Sequence, residues 1–134
     1  MAIGGSMSEA DSHEHLAGAG LLGDVEAICM RNVLDTPGTI LYFKDRQDRF
    51  ITVSVDCARL YGRTQEEMVG LTDFDLTDHA HALELLADEQ QIMDTGEPLI
   101  DKEEADRLVD QPGTWVESSK FPLRGPDGTI IGTF

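Results

Sequence analysis

The residues best equipped for chemistry in this chain gather between positions 73 and 84. Asp73-Phe-Asp-Leu-Thr77 sets two carboxylates and a hydroxyl at DxDxT spacing. In Mg²⁺-dependent phosphatases with that spacing, one carboxylate attacks phosphorus and the second acts as acid and base. Such a string must follow a buried parallel strand, but Met68-Val-Gly-Leu-Thr72 is broken by Gly70 and no strand–helix alternation follows. Helix and turn capping is the ordinary work of aspartates so placed, which leaves a DxDxT-type phosphatase as the remote reading. The same segment imitates a calcium loop, with Asp73, Asp75, Thr77 and, in twelfth place, Glu84. Asp78 stands in the sixth place, where the sharp turn needs glycine. His79 and His81 offer imidazoles, but their spacing points them to different sides of a helix. No metal ligand set is assigned.

A second group is apolar and reactive in type. Cys57 and Tyr61 stand one helical turn apart, so a thiol and a phenol share a face. Tyr42 and Val53 are candidate neighbours on the inner side of two strands, since alternate strand residues share a face. Burial in a core is the ordinary fate of a free cysteine. Cys29 and Cys57 form no zinc or disulfide pattern, which fits a reducing, cytoplasmic setting.

The elements that must position these residues follow from periodicity and breakers. Residues 1–22 mix Ser, Gly, Ala, His and acids without apolar period and read as a disordered tail, where His13 and His15 bind nothing. Within it, Met1 to Met7 reads as an expression scar. Val25, Ile28, Cys29 and Val33 recur at helical spacing and predict a helix over 24–35, ended by Pro37-Gly38. Its apolar stripe suits either packing on the domain or pairing with a second copy. Thr39–Phe43 and Phe50–Val53, separated by the polar Asp45-Arg-Gln-Asp48, predict a β-hairpin. Short helical turns follow, with a capping box at Thr64 and Glu67 and a stop at Gly70.

Asp78 to Thr95 predicts the longest helix, with Ala82, Leu85, Leu86, Ile92 and Met93 near one face and Gly96 at its end. Strand-like runs cover Leu99 to Leu108, Thr114 to Leu123 and Thr129 to Phe134, with turns at Pro112-Gly113 and Gly125-Pro-Asp-Gly128. Trp115 opens the second of them and is expected on the outer sheet face or at a dimer contact. Helices inserted between strand groups define an α+β fold with an antiparallel sheet. The space between insert and sheet is a natural small-molecule pocket.

Charge narrows the partners. With 26 acidic against 10 basic residues, the formal charge of −16 repels phosphate backbones and anionic lipid surfaces, so neither nucleic acid nor membrane is an expected partner. No stretch approaches the ~20 apolar residues of a membrane span. The acids concentrate in the tail, on the solvent side of the long helix and around Asp101-Lys-Glu-Glu104. The expected pocket walls are nearly free of carboxylates, which argues against a cationic ligand.

Six pieces of sequence, taken together and in order, resemble a PAS sensory domain of the bacterial signal-transduction type. They are Ile40-Leu-Tyr-Phe-Lys-Asp45, Gly70-Leu-Thr-Asp-Phe-Asp-Leu76, Ala87-Asp-Glu-Gln-Gln91, Thr95-Gly-Glu-Pro98, Ser119-Lys-Phe-Pro-Leu-Arg124 and Asp127-Gly-Thr-Ile-Ile-Gly132. The resemblance implies one domain over 23–134, with a five-stranded antiparallel sheet in the order 2-1-5-4-3, helices on one face and the flanking helix at 24–35. It implies a non-enzymatic sensor that binds a small, largely apolar ligand, forms a homodimer and relays to a kinase, cyclase or phosphatase domain of a longer protein, as in two-component systems. The candidate pocket is Tyr42, Val53, Cys57, Tyr61, Phe74, Leu86 and Phe134. Ser54 stands where many relatives carry Asn, which predicts a weaker turn hydrogen bond. The Asn-Cys-Arg-Phe-Leu-Gln motif of flavin light sensors is absent, so a flavin photocycle is not expected. Haem on a histidine of the long helix is a lesser reading, and no cofactor is assigned. The rival is a ligand-free PAS dimerisation module.

Overall fold

Proline and glycine breakers cut the chain into short elements, and a computed structural model, which describes residues 22–105 and 115–134, sets helices against antiparallel strands. Helix α1 is Leu22–Asp35 and stops before Pro37. Strands β1 (Tyr42–Asp45) and β2 (Phe50–Val53) form the expected hairpin. Its turn is fastened by the Asp45 carboxylate, which accepts from the Gln47 and Arg49 amides at 2.9 and 3.0 Å. β1 starts at Tyr42, not Thr39, because residues 39–41 bind the Ser54 hydroxyl instead of a full ladder. Ser54 Oγ donates to the Thr39 carbonyl (2.6 Å) and accepts from the Leu41 amide (3.0 Å). It also caps helix α2 (Val55–Leu60) by accepting from the Cys57 amide. One serine thus makes three bonds, where a single weak one was expected.

Helix α3 (Gln65–Met68) opens on the predicted capping box of Thr64 and Glu67. A 3₁₀ turn, Asp73–Asp75, precedes helix α4 (His79–Thr95), whose N-cap is Asp78. Gly96 ends α4 at φ 73°, a left-handed conformation that costs glycine nothing.

The chain then adds β3 (Leu99–Ala105), β4 (Trp115–Lys120), β5 (Pro122–Arg124) and β6 (Ile130–Thr133). The expectation of five strands in one sheet, ordered 2-1-5-4-3, is corrected here. Among the described residues there are six strands, in a four-stranded sheet β2-β1-β6-β5 and a two-stranded sheet β3-β4, all antiparallel. The run expected as one strand splits at Phe121, where it changes partner: Lys120 pairs with Leu99, whereas Pro122 pairs with Thr133. Phe121 itself exchanges both backbone bonds with Phe134, and Pro122 has no N–H to continue the β3 ladder. Residues 1–21 of the expected tail, the turn at Pro112-Gly113 and the strand ends at 106–108 and 114 lie outside the described residues, while Leu22, assigned to that tail, opens α1.

The core gathers Phe50, Val53, Cys57, Ala58 and Met68, flanked by Tyr42, Tyr61, Leu71 and Leu76. Ala82, Ile92 and Met93 add the buried side of α4. β6 can lie against β1 only because residue 132 is glycine: a Cβ there would sit 1.8 Å from the Lys44 carbonyl oxygen. Gly132→Ala is therefore expected to part β6 from β1 and cost about 3 kcal/mol, the upper range for overpacking. A thermal or urea melt checks this; an unchanged midpoint would mean that the two strands are not in contact.

Candidate functional site

Strand alternation that turns Tyr42 inward turns Lys44 inward as well. Its side chain is 2% exposed, an expensive place for an ammonium group unless carboxylates surround it. Three of them do. Lys44 Nζ donates to Asp48 Oδ1 at 3.0 Å, to Asp73 Oδ2 in a short bond, and to both Glu89 oxygens at 3.1 and 3.3 Å. Its ammonium also lies over the rings of Phe50 and Tyr42, 4.6 and 5.2 Å from their centres. Each carboxylate comes from a different element: the hairpin turn, the 3₁₀ turn and the middle of α4. Asp48 is held in the left-handed region at φ 63°, an uncommon conformation for a non-glycine residue. The three acids place carboxylate oxygens within 4.8 Å of one another, a spacing that could hold a cation. The Lys44 ammonium bonds all three, so they already share a cation.

Burial shifts these groups. Burial pulls the Lys44 pKa down, but Glu89, Asp73 and Asp48 together outweigh it and leave it raised. Burial pushes Glu89 up to about 8 against the pull of Lys44, and its contact with the Asp48 carboxyl adds to the rise. Asp73 is raised by burial despite Lys44. Asp48 Oδ2 is buried and meets no donor, and the Glu89 carboxyl lies against that carboxylate. Tyr42 donates its hydroxyl to Glu89 Oε1 at 3.2 Å, and burial followed by the Glu89 charge holds its phenol well above the usual range.

Beside this cluster opens a cavity of about 330 Å³. Its apolar wall includes Ile40, Phe50, Leu60, Leu85 and Val116, and its polar lining includes Lys44, Asp73, Glu89, Glu104 and Lys120. The expectation of walls nearly free of carboxylates is thus overturned. Lys120 and Lys102 both pair with Asp88 and Glu104, a second ionic network that ties α4 to β3 and β4. His81 Nδ1 and Ser118 Oγ are buried on the lining without a hydrogen-bond partner.

Of the residues expected in the pocket, Tyr42, Cys57 and Tyr61 line the cavity. Val53 is in the core, paired with Tyr42 across the hairpin. Phe134 stacks on Phe43 and Phe121 at 5.4 Å, on the face of β1 opposite Tyr42 and Lys44. Phe74 is exposed beside His79, and Leu86 is half-buried but off the lining. The cavity stripe of α4 is His81, Leu85 and Glu89, four residues apart along one face. His79 is exposed, so of the two histidines only His81 could address a bound group. Burial pushes the Cys57 thiol up to about 11, which makes it an apolar wall and not a nucleophile. In the DxDxT string, Asp73 is committed to Lys44 and Asp75 to the Thr72 amide at 2.8 Å.

Helices and antiparallel sheets that enclose a mixed-polarity cavity define an α+β domain. A family model described as the PAS fold matches residues 34–134, and the chain belongs to that family. Among solved structures, the Vibrio cholerae VqmA–ligand–DNA complex superposes with a TM-score of 0.61 at 23% identity, covering 81% of this chain and 47% of that one. The phage VqmA–DPO complex gives 0.61 at 22% identity, covering 83% and 51%. A PAS domain from Colwellia psychrerythraea gives 0.57 at 18% identity, covering 82% and 89%. At such identities the likeness is one of fold, and this chain spans about half the length of the VqmA chains. No curated protein matches significantly.

Two measurements test the buried cluster. Lys44→Met strips three buried acids of their cation and is expected to cost about 3–5 kcal/mol in urea unfolding. A cost under about 1 kcal/mol, the range of exposed pairs, would contradict it. Glu89 is raised from 4.5 to about 8, so the folded chain keeps a proton that the unfolded chain releases. Stability should therefore fall as pH rises from about 5 to about 8, and Glu89→Gln should flatten that slope. A wild-type profile already flat there would show that Glu89 titrates normally.

Proposed function

We propose that this domain is a sensor, without enzymatic activity of its own, that binds a small molecule in the cavity between α4 and the sheet. The observation that carries this reading is the cavity itself, about 330 Å³, with the buried Ser118 Oγ and His81 Nδ1 on its wall making no hydrogen bond, the imidazole reaching only Glu84 Oε2 at 3.6 Å. A packed structural module has no use for either. The volume lies at the low end for ligand sites, which suits a compact molecule with an apolar body and a polar end. This keeps the apolar body expected from the sequence and adds polar recognition by Lys44, Lys120 and the acids. Occupancy would favour one arrangement of α1 and β6, to the extent that the ligand binds one state better. The output domain, a kinase, cyclase or phosphatase, belongs to a longer protein.

A homodimer through α1 is part of the proposal, because Ile28, Met30 and Val33 stand exposed along that helix. The same observation is what favours the ligand-free dimerisation module as a second reading. One solved VqmA structure is a dimer and another holds DNA. The DNA complex qualifies the expectation of no nucleic-acid partner for proteins built on this fold. For this chain, with −16 formal charge, we place any DNA contact outside the segment itself. No described helix is long and apolar enough to cross a membrane. A cytoplasmic setting remains our reading from the unpaired Cys29 and Cys57.

Native mass spectrometry of the purified chain, joined to a thermal-shift screen, tests the sensor reading. A retained or stabilising small molecule is expected, and Leu85→Trp, which fills the cavity, should abolish its effect while the domain still melts cooperatively. A ligand effect that survives Leu85→Trp would move the site elsewhere. A dimer with no small-molecule response would favour the dimerisation module.

A further inference from the structure

Resting on the ligand-binding reading of the cavity, we propose that its occupant is a small amine on an apolar body, with its ammonium group seated against Asp73 and Glu89. The first reason is charge. One ammonium, Lys44, faces the three carboxyl groups of Asp48, Asp73 and Glu89, all buried. With Glu89 counted as protonated, which its rise to about 8 favours at neutral pH, the two aspartates still outnumber the ammonium by one. The outer network offers no offset, because Lys102 and Lys120 are matched by Asp88 and Glu104. In a poorly solvated interior an unbalanced charge is costly. An arriving cation gains what a neutral molecule of the same shape does not, and an anion loses by it.

The second reason is the wall. Asp73 and Glu89 both reach the cavity lining, beside the rings of Tyr42, Phe50 and Tyr61. Tyr42 and Phe50 already accept the Lys44 ammonium over their faces, so the lining suits a second cation chemically. The third reason is the orphaned atoms. Ser118 Oγ, with no hydrogen-bond partner in the protein, can accept from an N–H, and so can His81 Nδ1, which lies 3.6 Å from Glu84 Oε2 without a hydrogen bond to it. Charge, aromatic walls and free acceptors converge on one class of ligand.

Three probes of similar shape test this on the whole chain at neutral pH and low salt: phenethylamine, phenethyl alcohol and hydrocinnamate. By titration calorimetry, phenethylamine should bind at least tenfold more tightly than phenethyl alcohol, and hydrocinnamate should give no heat of binding. Asp73→Asn should shrink the preference for amine over alcohol to about twofold or less, with alcohol binding retained as the sign of an intact cavity. Where Asp73→Asn fails to fold, the wild-type comparison decides alone. Alcohol binding as tightly as amine overturns the amine assignment and leaves the sensor reading standing. No binding by any of the three overturns the assignment and counts against the cavity as a ligand site.

Discussion

An ammonium group cannot stay charged inside a protein without anions around it, and the inward turn of Lys44 imposes that condition on most of this fold. The lysine enters on β1, and its three carboxylate partners arrive on a hairpin turn, a 3₁₀ turn and the long helix α4. Asp48 adopts a left-handed backbone to reach it, and Tyr42 braces Glu89 from the same strand. Three stretches distant in sequence, the β1–β2 hairpin, the 3₁₀ turn and α4, are thereby fixed to a common point. Hydrophobic contact alone leaves such elements freer to slide, whereas a bonded charge cluster fixes their positions.

The cavity is a consequence of that arrangement. The Lys44 cluster at one side, and the network of Lys102, Lys120, Asp88 and Glu104 between α4 and the β3-β4 pair, hold helix and sheet by long polar side chains. Apolar residues line the space that is left. The catalytic and calcium-binding patterns in residues 73–84 also find their explanation here. Asp73 serves Lys44, Asp75 caps the 3₁₀ turn, and Asp78 caps α4. Closely spaced aspartates in this chain are anchors and helix starts.

Much of the fold was legible because its signals are local. Thr64 with Glu67, Gly96 after Thr95, and the turn beginning at Asp45 each act within a few residues, and each appears where its spacing put it. The split at Phe121 was not legible, since a change of pairing partner depends on which distant strand lies alongside. Of the site, Tyr42, Cys57 and Tyr61 were found from their apolar neighbours. Lys44, Asp48 and Glu89 were missed because charged residues were assigned to turns and solvent, and Asp73 was singled out but given a capping and turn role. The signal was nonetheless present: Lys44 alternates with the inward Tyr42, and Glu89 falls between Leu85 and Ile92 on the buried side of α4. Phe134 was misplaced for the complementary reason, an aromatic side chain taken as inward although its stack with Phe43 lies on the other sheet face.

The charge of the chain looks different in this light. Its total of −16 is dominated by exposed acids, yet the few buried ones decide what the cavity prefers. The most direct measurement of the cluster is a carbon-13 NMR titration of the Glu89 side-chain carboxyl in the folded domain. A midpoint near 8 is expected, as burial and the Asp48 contact require. A midpoint at the ordinary value of 4.5 would show a carboxylate in contact with solvent and contradict the buried cluster of Lys44, Asp48, Asp73 and Glu89 on which the account rests.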